Sequence, residues 1–135
     1  MGLHTAGIYP QRLEKIIPLI DWIGMDIKAP FHSYENVTHV ATSGKRALKS
    51  VESILKSGIS YEFRTTLDPW NLHEKELVEI AHALEKLGVE NFALQEFRQT
   101  GPASLGPEIK ERIPFHHACS IMKPFFKNFI ARPAQ

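Results

Sequence analysis

The sequence predicts an α/β fold: a partial (β/α) barrel of parallel strands with outer helices. Three observations carry this. Two segments with helical apolar spacing each stop at a glycine, Gly58 and then Gly88. Each glycine is followed at once by a short run rich in β-branched and aromatic residues, "ISYEFRTTL" and "VENFALQEFR". Two successive helix–Gly–strand units with stops 30 positions apart (88 − 58) have the period of a β/α repeat, whose strands lie parallel because each crossover carries a helix.

The elements follow in order. In "QRLEKIIPLI", residues 11–20, Leu13, Ile16, Ile17 and Ile20 fall on one helical face, and Pro18 ends or bends the helix. "DWIGMDIKAP", 21–30, contains a strand over 22–28. Residues 31–42 read as a loop ending near Thr42-Ser43. The next helix, in "GKRALKSVESILKSG", aligns Leu48, Val51, Ile54 and Leu55 and stops at Gly58. The second strand covers 59–67. "DPWN" is a turn, and Asn71 caps the following helix, with Glu74 three residues on in a capping-box pattern. That helix buries Leu77, Ile80, Ala81 and Leu84, and the third strand spans 89–98. Residues 99–107, "QTGPASLGP", form a loop, a helix covers roughly 115–125, and "NFIAR" is a short strand. The whole chain, 1–135, is one domain, with its core units in 3–98 and a C-terminal extension in 99–135.

Side chains on a strand alternate between faces. Ile23, Met25 and Ile27 share one face of the first of these strands; Gly24, Asp26 and Lys28 share the other. In the second, Tyr61, Phe63 and Thr65 oppose Glu62, Arg64 and Thr66. In the third, Phe92 and Leu94 oppose Ala93, Gln95 and Phe97. Each strand thus has an apolar face for helices and a second face that turns polar toward its C-terminal end. Ligands of parallel α/β folds bind at those ends. Asp26, Lys28, Glu62, Arg64, Thr66 and Gln95 are therefore expected to converge there. Two readings stand side by side: a ligand site, or a structural ion-pair network inside the barrel.

Composition narrows the function. The chain is 43% hydrophobic and 23% charged, with 16 Lys and Arg against 15 Asp and Glu. A net charge of +1 gives no electrostatic footprint for nucleic acid or an anionic membrane. No apolar run approaches the roughly 20 residues of a membrane helix. The N-terminus lacks the basic and apolar regions of a signal peptide. The one cysteine, Cys119, excludes an internal disulfide and suits the reducing cytoplasm. Cys119 itself reads as a small core residue. His116-His117 lacks the i,i+4 spacing of a helical metal pair, and "GKRALKS" lacks the full phosphate-loop pattern.

"LHTAGIYP", "DWIGMDIKAP", "YEFRTTL" and "FALQEFR", in this order and separated by helices, resemble the radical S-adenosylmethionine (SAM) superfamily over residues 3–98. Within it they are most similar to activating proteins of anaerobic ribonucleoside-triphosphate reductase, relatives of the glycyl-radical enzyme activases. The resemblance implies the last three to four strands of a (β/α)6 barrel. In that family a [4Fe-4S] cluster on a Cys-x3-Cys-x2-Cys loop reduces bound SAM, and the 5′-deoxyadenosyl radical takes a hydrogen atom, in activases from a glycine of the target enzyme. Carried over by position, Thr5 would lie beside the methionine part of the cofactor. Asp26 and Lys28 would contact its ribose or carboxylate side, Arg64 would lie near that carboxylate, and Gln95 near the adenosine. The glycyl-radical enzyme is the implied partner. The departures are equally specific. This chain has neither the three-cysteine loop nor the Gly-Gly-Glu segment of the second strand, and His4 stands where some activases carry an acid. The resemblance thus implies the C-terminal half of a radical SAM protein, inactive alone, or else a non-catalytic nucleoside-binding module. An open sheet edge predicts association with a missing N-terminal half or with a second copy.

Overall fold

The computed structural model of the chain describes residues 1–98 and 112–134. Five strands form one sheet in the order β1 (Gly2–Thr5), β2 (Trp22–Asp26), β3 (Ser60–Leu67), β4 (Asn91–Glu96) and β5 (Asn128–Arg132). All four pairings are parallel. The helices between them are α1 (Pro10–Ile16), α2 (Tyr34–Thr38), α3 (Ser43–Ser57), α4 (Glu74–Leu87) and α5 (Phe115–Met122). This is the partial (β/α) barrel architecture that the repeat predicts. "LHTAG" opens the sheet at one margin, and "NFIAR" closes the other as a full strand. The predicted loop 99–107 lies outside the described residues.

Strand parity holds along the sheet. Ile23, Met25, Phe63, Phe92 and Leu94 are fully buried, in one cluster with Leu13 of α1, Val51 and Ile54 of α3, Leu77 and Leu84 of α4 and Met122 of α5. The helices therefore cover this face, and its apolar residues leave water there. Thr65 shares the face, and its hydroxyl donates to the Ile27 carbonyl at 2.8 Å, which satisfies a buried polar group. Gly58 and Gly88 end α3 and α4 at φ 76° and 94°. An added Cβ would touch nothing within 4 Å at either position, so glycine is needed there for its left-handed backbone alone.

Three local expectations are corrected. Residues 31–42 are not simply a loop: a 3-10 turn, Phe31–Ser33, leads into α2. It forms around Tyr34, whose buried hydroxyl accepts the Lys28 N–H at 3.0 Å and donates to the Asp26 carbonyl at 3.3 Å. The cap of α4 is His73 with Glu76, two residues beyond the predicted Asn71 and Glu74. Asn71 instead donates its side-chain amide to Asp68 at 2.6 Å. α1 stops at Ile16, and Pro18 sits in a 3-10 turn, Ile17–Leu19. Of the α1 residues only Leu13 is buried, and Ile16 is exposed. Among the described residues no helix is long and apolar enough to cross a membrane.

Candidate functional site on the open face of the sheet

The other face of the sheet carries the charged residues. The register places Asp26 beside Arg64, Thr66 beside Gln95, and Gln95 beside Arg132. Arg64 is the centre. Its side chain is only 15% exposed, and its Nε lies 3.9 Å from Asp26 Oδ1 and 3.7 Å from Glu62 Oε1. Its Cζ lies 5.6 Å from the Trp22 ring centroid, a cation–π contact. Room for the guanidinium comes from Gly24. A Cβ there would collide with Arg64 Nη2 and come within 2.7 Å of the Trp22 ring. Arg64 Nε is buried and, among the described residues, has no hydrogen-bond partner.

Glu62 is tied down from the far margin. Arg132 donates to its two carboxylate oxygens at 2.5 and 2.8 Å. β4 lies between the two strands, and the residue it presents there, Ala93, is small enough to let the guanidinium pass. The Arg132 hydrogen bond holds the Glu62 carboxyl below its ordinary pKa, with burial opposing and the charges of Arg132, Arg64 and His4 assisting. The same bond holds Arg132 above its usual value.

Toward the C-terminal ends the face opens into a cavity of about 240 Å3 lined by Asp26, Lys28, Thr66, Asp68, Trp70 and Phe97, among others. Trp70 meets Phe97 edge-on, 5.1 Å between centroids. Thr66 donates to the Gln95 side-chain oxygen at 3.3 Å. Lys28 is exposed, and its ammonium group reaches no carboxylate within 4.0 Å among the described residues.

Asp26, Lys28, Arg64 and Gln95 thus lie at one end of one face. Thr5 does not join them. It pairs in register with the helix-facing Met25, and its hydroxyl accepts the Gly7 N–H at 3.0 Å. The residue of β1 on the open face is His4, edge-on to Trp22 at 5.2 Å. The charges divide by environment. Glu62 and Arg132 satisfy each other. Asp26 and Lys28 line the 240 Å3 cavity, and Gln95 borders it through its hydrogen bond from Thr66. Arg132 was the partner that the sequence reading lacked. Its signal was available: "NFIAR" alternates like the other strands, and Glu62 on an inward face calls for a cation.

The remaining candidates lie on α5. His117 of α5 lies 3.7 Å from Glu74 of α4. Among the described residues no group of three or more His, Cys, Asp and Glu could hold a metal ion. Cys119, half-buried on α5, has its thiol pushed up by burial and by the charge of Glu96. Three thiolates are needed to hold an iron–sulfur cluster in the implied family, and the chain has one cysteine. The residues present do not fit that cluster. As groups, the Lys28 ammonium and Arg64 guanidinium are donors to anions, and Asp26, Thr66 and Gln95 offer acceptors and donors for polar groups.

No family model matches the chain. It is similar to a protein of Methanocaldococcus jannaschii named "Putative glycyl-radical enzyme activating enzyme", 27% identical over 101 residues, which cover 70% of this chain and 41% of that relative. The chain thus spans less than half the length of the relative it matches.

Proposed function

We propose that this chain supplies the second half of the SAM site of a glycyl-radical enzyme activating protein, with the activator of anaerobic ribonucleoside-triphosphate reductase as the specific member. The supporting observation is that Asp26, Lys28 and Thr66 line one cavity, with Arg64 in register beside Asp26 and Gln95 beside Thr66 on adjacent parallel strands. The similarity to a named activating enzyme adds to it. Lys28 and Arg64 receive the cofactor's carboxylate, Asp26 its ribose hydroxyls or ammonium, and Gln95 its adenosine. A cluster, which would supply the electron for cleaving SAM, would need thiolates from another polypeptide segment, because this chain has one cysteine. That segment would pair beside β1, which among the described residues has no strand on its outer side. By itself the chain binds the cofactor without generating a radical.

The test is titration of the chain with SAM, followed by amide NMR and calorimetry. Shifts are expected around Asp26, Lys28, Arg64 and Gln95. Lys28→Glu is expected to weaken binding by about tenfold or more, the worth of one charge-assisted hydrogen bond. A folded chain that leaves these amides unmoved at saturating ligand refutes the reading. Anaerobic addition of iron and sulfide to the chain alone is expected to give no cluster absorption.

A further inference from the structure

A second cavity lies away from the open face, between the segment after β1 and the first turns of α3. It measures about 510 Å3, and its lining includes Tyr9, Arg12, Lys45, Arg46 and Lys49. No carboxylate lines it, although the whole chain has 15 acidic residues against 16 basic ones. Among the described residues none of the four cations lies within 4.0 Å of a carboxylate oxygen. Arg12 instead stacks on Tyr9, its Cζ 4.8 Å from the ring centroid.

These cations are misplaced for the stability of their own helix. Lys45 and Arg46 stand near the N-terminus of α3, which is the electropositive end and favours acids. α4 follows that rule with Glu74 and Glu76; α3 has no acid in its first turn. Lys45 and Lys49 are also four apart on one helix face, a like-charge pair that weakens a helix. Arg12 arrives from α1 and adds a fourth charge. One multiply charged anion in the cavity relieves all of these repulsions together. The volume falls in the range of small-ligand sites.

We propose that this cavity binds a polyphosphate, held by Arg12, Lys45, Arg46 and Lys49. "GKRALKS" lacks a glycine-rich cradle, so the phosphates are met by side-chain ammonium and guanidinium groups. Tyr9, 58% exposed, offers a ring to a base, so a nucleoside triphosphate and a bare phosphate chain share the chemistry. This inference stands independently of the open face.

The experiment is calorimetry and thermal unfolding of the 135-residue chain with tripolyphosphate, with ATP, and with a polyglutamate peptide. Tripolyphosphate and ATP are both expected to bind and to raise the unfolding midpoint, less so in high salt. ATP binding tighter than tripolyphosphate assigns Tyr9 to the base; equal binding assigns the site to the phosphate chain alone. The double variant Lys45→Gln/Lys49→Gln is expected to keep or raise the unliganded midpoint, because a repulsive pair is gone. It should bind either phosphate about tenfold more weakly or worse. The proposal is overturned if the folded chain binds neither phosphate, if the double variant binds them equally well, or if polyglutamate is preferred to both.

Discussion

Replacing Arg132 by alanine removes both hydrogen bonds on the Glu62 carboxylate. Bonds to ionised groups contribute about 1.5–3 kcal/mol each when buried. Arg132 is 41% exposed, so solvent screening cuts that value. Arg64 also remains 3.7 Å from Glu62 and shares its charge. The net loss is about 1–2 kcal/mol. A domain of this size loses about 3–4 °C of unfolding midpoint per kcal/mol, so the midpoint should fall by about 3–8 °C. The pH dependence has a definite sign. Because the folded protein holds Glu62 below its ordinary value of 4.5, the contribution is fully present above that pH and disappears as pH falls through the lower folded value. The deficit of Arg132→Ala should therefore be complete at neutral pH and shrink in acid. Circular-dichroism melts of both proteins at about pH 7 and about pH 3 measure it. An unchanged midpoint at neutral pH, or a deficit that persists undiminished in acid, refutes the reasoning.

Gly24→Val tests the space beside Arg64. The new Cβ would strike Arg64 Nη2 and lie 2.7 Å from the Trp22 ring. Both obstacles are side-chain ends, so the fold should survive with a loss of about 1–3 kcal/mol, while SAM affinity falls as Arg64 is displaced; native far-UV dichroism with unchanged affinity would contradict this. Tyr34→Phe strips the partner from the Lys28 N–H and should cost about 1–2 kcal/mol in denaturant unfolding. Burial pushes the Tyr34 phenol up to about 12, so its stabilisation is full below the ordinary value of 10 and is lost as pH rises through the folded value of about 12. The variant should accordingly lack the highest-pH phase of the tyrosinate absorbance titration.

Strand parity was readable because side-chain alternation is a local property. Ile23 and Met25 face the helices and Asp26 faces away, as their spacing requires. The glycine stops were readable for the same reason, since a left-handed φ is a single-residue demand. What escaped depended on distant partners. α2 has a single buried residue, Tyr34, and its hydroxyl is anchored to the end of β2, so no apolar stripe announced a helix. Asn71 had the chemistry of a cap but was already engaged by Asp68. Arg132 meets Glu62 across 70 residues of sequence, beyond any window of periodicity. That Asp26, Arg64 and Gln95 share the open face followed from parity, whereas the position of Thr5 did not: it belongs by alternation with Leu3 on the helix side.

The monotonic strand order makes the sheet divisible. Among the described residues each strand adds at the margin of those before it in sequence, so a cut in the crossover before or after β3 leaves two contiguous slabs, each with pairing of its own. Such a slab presents one fresh margin in a fixed direction, and a matching slab can dock on it without unfolding. A sheet wound in this order divides along whole β/α units, and the pairing lost at such a cut is the backbone ladder of a single strand pair.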